Sequence, residues 1–399
     1  MAVNKLDISM MEDVGTSANQ LVQRDGSGNL PAVDGSQLTD VQDYTTSTSD
    51  PVIATNPSGG VGTVWYNTTS GEGYVCTDAT AGENIWTNIG DGTDHIQPSS
   101  LPRQGTQYGY HFGGALSVSP YRLTTIQKYS YTTGADAVDT TADLLEVQSW
   151  GSDNTCSLTH GYCAGHQNNA TNSNTIQKWP FTSNSNATDV GNLSSAIYGA
   201  AGAANQDYGY TQGGGPPLMN EVQRFSFSSD GDATDFGDLS VARGHASSSM
   251  STTHGYAAGG QNTTPAFSNV IDKFAFASNV TGTNVGDLLQ AAMYMPGHQS
   301  LTHGYRAGGY DHNSGTYTTN TIDKYSFSSD GNSTDVANLL TDNSGAGGST
   351  QTDYGYLTGG GPGGTYHNVI QKFSFVSGTD AVDTSNLIQV TRQGTGCQY

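Results

Sequence analysis

From about Leu101 onward the chain repeats one pattern of apolar and polar positions. Its clearest element is a short run with period-two alternation, present as TIQKYSY, TIQKWPF, EVQRFSF, VIDKFAF, TIDKYSF and VIQKFSF. In the fourth copy Val270, Asp272, Phe274 and Phe276 share one face, and Ile271, Lys273 and Ala275 the other, as in a half-buried strand. Ahead of each copy stands a Gly-Tyr pair, at Gly109, Gly161, Gly209, Gly255, Gly304 and Gly355 and the tyrosine after each. A run of small residues closing on Gly-Gly or a variant follows each pair, and only the second copy departs from it, with His166. After the aromatic strand comes a turn, clearest as SSDGDATD and SSDGNSTD, in which Asp-Gly supplies the positive φ of a tight hairpin. A short strand such as DVGNL, DFGDL, NVGDL or DVANL ends the unit.

Four strands in a unit of about 50 residues, with a double glycine before an aromatic strand, resemble the kelch repeat. The tryptophan that kelch repeats usually carry after the third strand is missing, so the resemblance is to a kelch-like unit. It implies an all-β fold: a six-bladed kelch-like β-propeller over residues 99–399. The first strand of each blade would line a crowded axis, which suits the small-residue runs Gly199–Ala203, Ala246–Ser249 and Gly345–Gly348. Arg392-Gln393-Gly394-Thr395 repeats Arg103-Gln104-Gly105-Thr106, so seven candidates compete for six inner-strand places. The expectation is that the carboxy-terminal copy completes the first blade or pairs beside it, removing an exposed edge.

Composition agrees with many short strands: 53 Gly and 34% hydrophobic residues, with no long helical pattern. Thirteen Lys and Arg against 35 Asp and Glu give a formal charge of −22, which disfavours nucleic acid and anionic membrane surfaces. No secretory leader or membrane-length apolar run is visible, and neither membrane insertion nor a cofactor is expected. Cys76, Cys156, Cys163 and Cys397 lack metal-ligand spacing and read as free thiols, with a Cys156–Cys163 pairing left open.

The first hundred residues read differently. Asn19, Leu21, Val22, Arg24, Asp25, Gly28, Asn29 and Leu30, followed by Asp34-Gly35-Ser36-Gln37-Leu38, resemble the amino-terminal segments of bacteriophage tail fibres and related virion proteins. That resemblance implies an attachment or oligomerisation segment over residues 1–45 that docks on other virion proteins. It also implies a homo-oligomer, with a trimer as the expected state, located in the virion after assembly in the host cytoplasm. Residues 46–98 resemble small β modules of phage structural proteins, especially those of cyanobacterial phages. Trp65, Tyr66, Tyr74, Val75, Ile85 and Trp86 fall on three expected strands as a miniature aromatic core.

Candidate chemistry is sparse. His160, His254 and His303 occupy a slot held elsewhere by Tyr108, Tyr208 and Tyr354, which points to packing. Lys128, Lys178, Arg224, Lys273, Lys324 and Lys372 fill one strand position and are read as structural, bonding carboxylates such as Asp189, Asp235 or Asp335. The acidic turn from Asp230 to Asp235 invites calcium, but its glycine spacing fits a hairpin better. No GxSxG elbow or paired carboxylates stand out, and an enzyme is not expected. The variable loops on one face carry Tyr121, Arg122, His166, Phe267, Tyr310, His312, Tyr317, Tyr366 and His367 among polar residues. Aromatics in such a setting suit a glycan or protein surface, or merely tether the loops. The leading expectation is a fibre-like virion protein that binds a host-surface polysaccharide or outer-membrane receptor. The alternatives are a capsid decoration or tail scaffold protein that contacts only virion partners, and a propeller glycan hydrolase.

Overall fold

The computed structural model describes residues 44–89, 104–169, 171–263, 266–279, 281–311 and 317–399. The chain divides into two compact units, Met1–Pro98 and Ser99–Tyr399, and the described residues are all-β.

In the first unit one sheet runs in the order β1 (Tyr44–Ser47), β2 (Val64–Asn67), β3 (Gly73–Asp78), β4 (Ile85–Asn88). The expected aromatic core is narrower than the sequence suggested. Tyr74, Cys76 and Trp86 are buried and Trp65 packs on them, its ring 5.8 Å from that of Trp86, while Tyr66 is 45% exposed. Alternation puts Tyr66 on the opposite face from its neighbour Trp65. Strand β1, parallel to β2, was not expected and begins inside the segment read as attachment region.

Among the described residues the second unit holds six antiparallel sheets, five of four strands and one of three. The first contains β5 (Tyr108–Phe112), β6 (Leu123–Ser130) and β7 (Val138–Gln148); the second β8 (His160–Gln167), β9 (Asn172–Pro180) and β10 (Thr188–Ile197). The third is β11 (Ala201–Ala204), β12 (Tyr208–Gln212), β13 (Glu221–Ser226), β14 (Thr234–Asp238), and the fourth β15 (Ser247–Met250), β16 (His254–Ala258), β17 (Val270–Ala275), β18 (Thr283–Asp287). The fifth is β19 (Gly297–Gln299), β20 (His303–Ala307), β21 (Thr319–Ser326), β22 (Thr334–Asn343), and the sixth β23 (Gly347–Thr350), β24 (Tyr354–Thr358), β25 (His367–Ser374), β26 (Val382–Thr391). The last strand, β27 (Thr395–Gln398), pairs antiparallel with β5 and completes the first sheet, as the repeated Arg-Gln-Gly-Thr predicted.

The Gly-Tyr pair has a steric origin. Each glycine lies directly across from the aromatic residue of the next strand, as in Gly109 against Tyr129 and Gly209 against Phe225, and an added Cβ would enter that ring. Each tyrosine then reaches the following sheet. Tyr110–Phe181, Tyr162–Phe227, Tyr210–Phe276, Tyr256–Phe327, Tyr305–Phe375 and Tyr356–Tyr131 have centroids 4.6 to 4.8 Å apart. The sixth contact returns to the first sheet. Because sheets cover one another on both sides, the aromatic strand is buried on both faces in part: Ile271 has 0% exposure and Phe274, on the opposite face, 2%.

Polar contacts repeat with the same step. In the Asp/Asn-Ala/Ser motif before the fourth strand, Asp232 Oδ1 accepts the Asn192 N–H at 2.9 Å, and the Ala233 N–H donates to Asn192 O at 2.8 Å. The same two-bond clasp joins Asn186-Ala187 to Asp143, Asn332-Ser333 to Asp287, Asp380-Ala381 to Asn338 and Asp136-Ala137 to Asn386. The acidic turn read as a calcium candidate is thereby explained: Asp232 is in a clasp, Asp230 pairs with Lys178, and Asp235 accepts the Gly237 N–H.

Candidate functional site

Six residues immediately before the inner strands share one conformation and one hydrogen-bond cycle. Trp150, Gly199, His245, Tyr294, Gly345 and Gln393 have φ between 56° and 68°. The Gly199 N–H donates to Trp150 O, His245 to Gly199, Tyr294 to His245, Gly345 to Tyr294, Gln393 to Gly345 and Trp150 to Gln393, at 2.6 to 3.1 Å. The cycle returns to its start. Inside it, Asn154 of the second repeat reaches Gly297 O at 2.9 Å and Ser248 Oγ at 3.1 Å, so the middle is filled with polar side chain.

Left-handed φ costs a side-chain-bearing residue about 1–2 kcal/mol relative to glycine. Glycine stands at two of these places, yet three others carry large rings. Trp150 and Tyr294 stack at 4.4 Å, and His245 packs edge-on against both at 4.6 and 4.5 Å, with Tyr198 at 5.4 Å from His245. Gly199 is needed twice over, since a Cβ there would meet the His245 imidazole as well as the positive φ.

Trp150, His245 and Tyr294, with Asp153, Ala200 and Met295, line a depression with room for about 30 Å³, a water or two. Asp153 Oδ1 accepts the Gly396 N–H at 2.7 Å, and burial pushes its carboxyl up to about 7 against that bond. His245 is 8% exposed, its Nδ1 has no hydrogen-bond partner, and burial holds its pKa down at about 3, so the ring is neutral.

Two arginines stand beside this cluster. Arg122 and Arg392 form bridges on either side of Ala115. Arg122 donates to Ser149 Oγ at 2.8 Å, Gln167 Oε1 at 2.5 Å and Asn169 Oδ1 at 3.3 Å. Arg392 donates through Nη2 to Ser344 Oγ at 2.6 Å and through Nε to Ser344 O at 3.3 Å. Neither has a carboxylate partner among the described residues, and burial lowers the pKa of both. Tyr366 lies within electrostatic reach of both guanidiniums, and Tyr294 and Tyr310 within reach of Arg392.

The loop residues expected to form a site separate into groups. Tyr310 joins the cluster, 6.3 Å from Tyr294, and carries Tyr317 and Phe267 at 5.9 and 6.0 Å. Arg122 bridges to Ala115, and Tyr366 lies within electrostatic reach of Arg122 and Arg392. Tyr121 is 59% exposed, and His367 begins β25, its N–H donating to Gly360 O. His312 lies outside the described residues. His166 corrects the expectation of a surface residue: it is fully buried, its Nε2 2.8 Å from Glu146 Oε1, because β8 runs on through the glycine position and carries it inward.

The basic repeat position also differs from expectation. Lys178 pairs with Asp230 at 2.5 Å and Lys273 with Asp330 at 3.0 Å, each on the turn of the following repeat, instead of with Asp189, Asp235 or Asp335. Those are the two repeats preceding an Asp-Gly turn. Elsewhere the cation lies over rings: Lys128 over Tyr108, Lys372 over Tyr354, and Arg224 over Tyr208 and Phe236, at 4.4 to 5.2 Å. Lys324 stands beside His303.

Sequence reasoning missed Trp150, His245, Tyr294, Asp153 and Arg392. The available signal was a bulky ring in the place where the third and sixth inner runs begin with Gly199 and Gly345. No protein-family model and no curated protein matches the chain.

Proposed function

We propose that residues 99–399 form a six-bladed kelch-like β-propeller, and that the chain is a phage virion structural protein, a tail fibre or fibre-like appendage whose axial face binds a host-surface glycan or receptor. Three independent relations support the ring, each returning to its origin after six steps: the tyrosine contacts, the backbone cycle and, through β27, the chain itself. The observation that carries the binding reading is the placement of Trp150, His245 and Tyr294 at left-handed positions where glycine costs less. Strain of this kind is retained where the side chain has a task, and aromatic rings around a polar floor suit sugar.

Attachment through residues 1–98, oligomerisation and the virion setting rest on the resemblances of residues 19–38 and 46–98. The role is non-catalytic on this reading. Glycosidic hydrolysis ordinarily takes two carboxyl groups, and among the described residues Asp153 is the one carboxylate in the lining. The test is an antibody against the chain applied to intact particles, with the purified chain added to adsorption assays. Labelling at the tail together with reduced adsorption supports a receptor-binding fibre. Labelling over the shell with adsorption unchanged overturns it in favour of a decoration protein.

A further inference from the structure

We infer that the axial depression takes a carboxylate-bearing sugar residue, its ring resting against Trp150 and Tyr294 and its acid group on the Arg392 guanidinium. This deepens the glycan-binding reading and rests on it. In a chain of charge −22 a partly buried arginine would ordinarily find one of 35 acidic side chains. Arg392 instead meets the neutral Ser344 through Nε and Nη2, and its Nη1 has no acceptor among the described residues. A desolvated guanidinium of this kind favours a ligand carboxylate through a charge-assisted bond. Its side chain packs against Gly345, next to Ala346 of the lining, with Tyr294, Tyr310 and Tyr366 within electrostatic reach.

The floor asks for the opposite chemistry. Asp153, in the lining, suits the hydroxyls of a sugar ring and would repel an anion. Acid at the rim and hydroxyls at the floor fix one orientation. Room for about 30 Å³ is too little to admit a whole sugar, so one residue lies across the mouth of the depression.

The test uses the intact chain, with trigalacturonic acid and neutral maltotriose as calorimetric probes. The expected result is binding of the uronate at least about tenfold tighter than maltotriose. Arg392→Gln should abolish that difference and Arg392→Lys retain part of it, with melting temperatures confirming that both variants fold. Equal affinity for the two sugars overturns the acidic ligand while leaving glycan binding intact. Uronate binding undiminished in both Arg392→Gln and Tyr294→Ala overturns the site. Failure of both sugars to bind overturns the inference, and adsorption competition then decides the broader reading separately.

Discussion

Arg243 Nη2 lies 2.6 Å from Asp272 Oδ2, and neither side chain is exposed. The pair explains a substitution internal to the repeat. Gln127, Gln177, Gln223 and Gln371 accept a backbone N–H from the preceding fourth strand or the loop after it, at Ile388, Leu145, Ser194 and Leu340. Asp272 does the same for Ser240 at 2.9 Å, and Asp323 stands at the equivalent place in the fifth sheet, 2.7 Å from the buried Arg306. Where glutamine gives way to aspartate, an arginine neutralises it.

Removing one partner leaves a buried charge. Asp272→Ala should cost about 3–5 kcal/mol in urea unfolding, whereas Arg243→Met with Asp272→Gln, which restores the arrangement of the other repeats, should recover most of it. A double variant as unstable as the single one would show that the arginine acts through packing instead.

How far the sequence foretold this architecture depends on the kind of interaction. Strands, turns and the terminal exchange were readable because period-two alternation, Asp-Gly and Arg-Gln-Gly-Thr are local signals. Tyr210 meeting Phe276 of the next sheet, or Asp232 clasping Asn192, depends on a neighbour about 40 or more residues away. The loop face was chosen for its aromatics, of which Tyr310 lies 6.3 Å from Tyr294, but the half-buried Trp150 and Tyr294 look like core residues in one dimension. His166 was misread for the converse reason: a broken glycine motif reads as a loop, whereas the strand simply continues.

The backbone cycle makes a prediction at its sixth member. Gln393 has φ of 61° and its side chain makes no hydrogen bond among the described residues. Gln393→Gly should therefore be neutral or stabilising by up to about 1 kcal/mol, and Gly345→Ala, at φ 68°, destabilising by about 1–2 kcal/mol. Thermal melts of the two variants moving in the same direction would contradict this asymmetry.

Strand β27 carries more than its own ladder. Deleting residues 392–399 removes the pairing with β5, the Gln393 link of the cycle, the Gly396 N–H on Asp153 and the buried Cys397. The melting temperature should fall by roughly 10 °C or more, at about 2–4 °C per kcal/mol for a domain of this order. An unchanged melt would mean that the first Arg-Gln-Gly-Thr copy takes the vacated place.

Acid stability follows from buried imidazoles. Burial holds His111 and His245 at about 3 and His298 at about 4, well below the ordinary 6.5. Below pH 6.5 the unfolded chain binds protons that the folded one refuses, so each histidine removes about 1.4 kcal/mol per pH unit as the pH falls toward 4. Asp153 works the other way: its folded carboxyl, pushed up to about 7, takes a proton before the unfolded one does, so acidification from 7 to 4 adds stability from this group. These four groups alone give a net loss of about 3 kcal/mol per unit below pH 6, and the lowered His160, His166, His254 and His303 act in the same direction. Melts between pH 7 and 4.5 should show it, with His298→Gln flattening the fall and Asp153→Asn steepening it. A profile level to pH 4.5 would mean that these imidazoles are protonated in the folded chain.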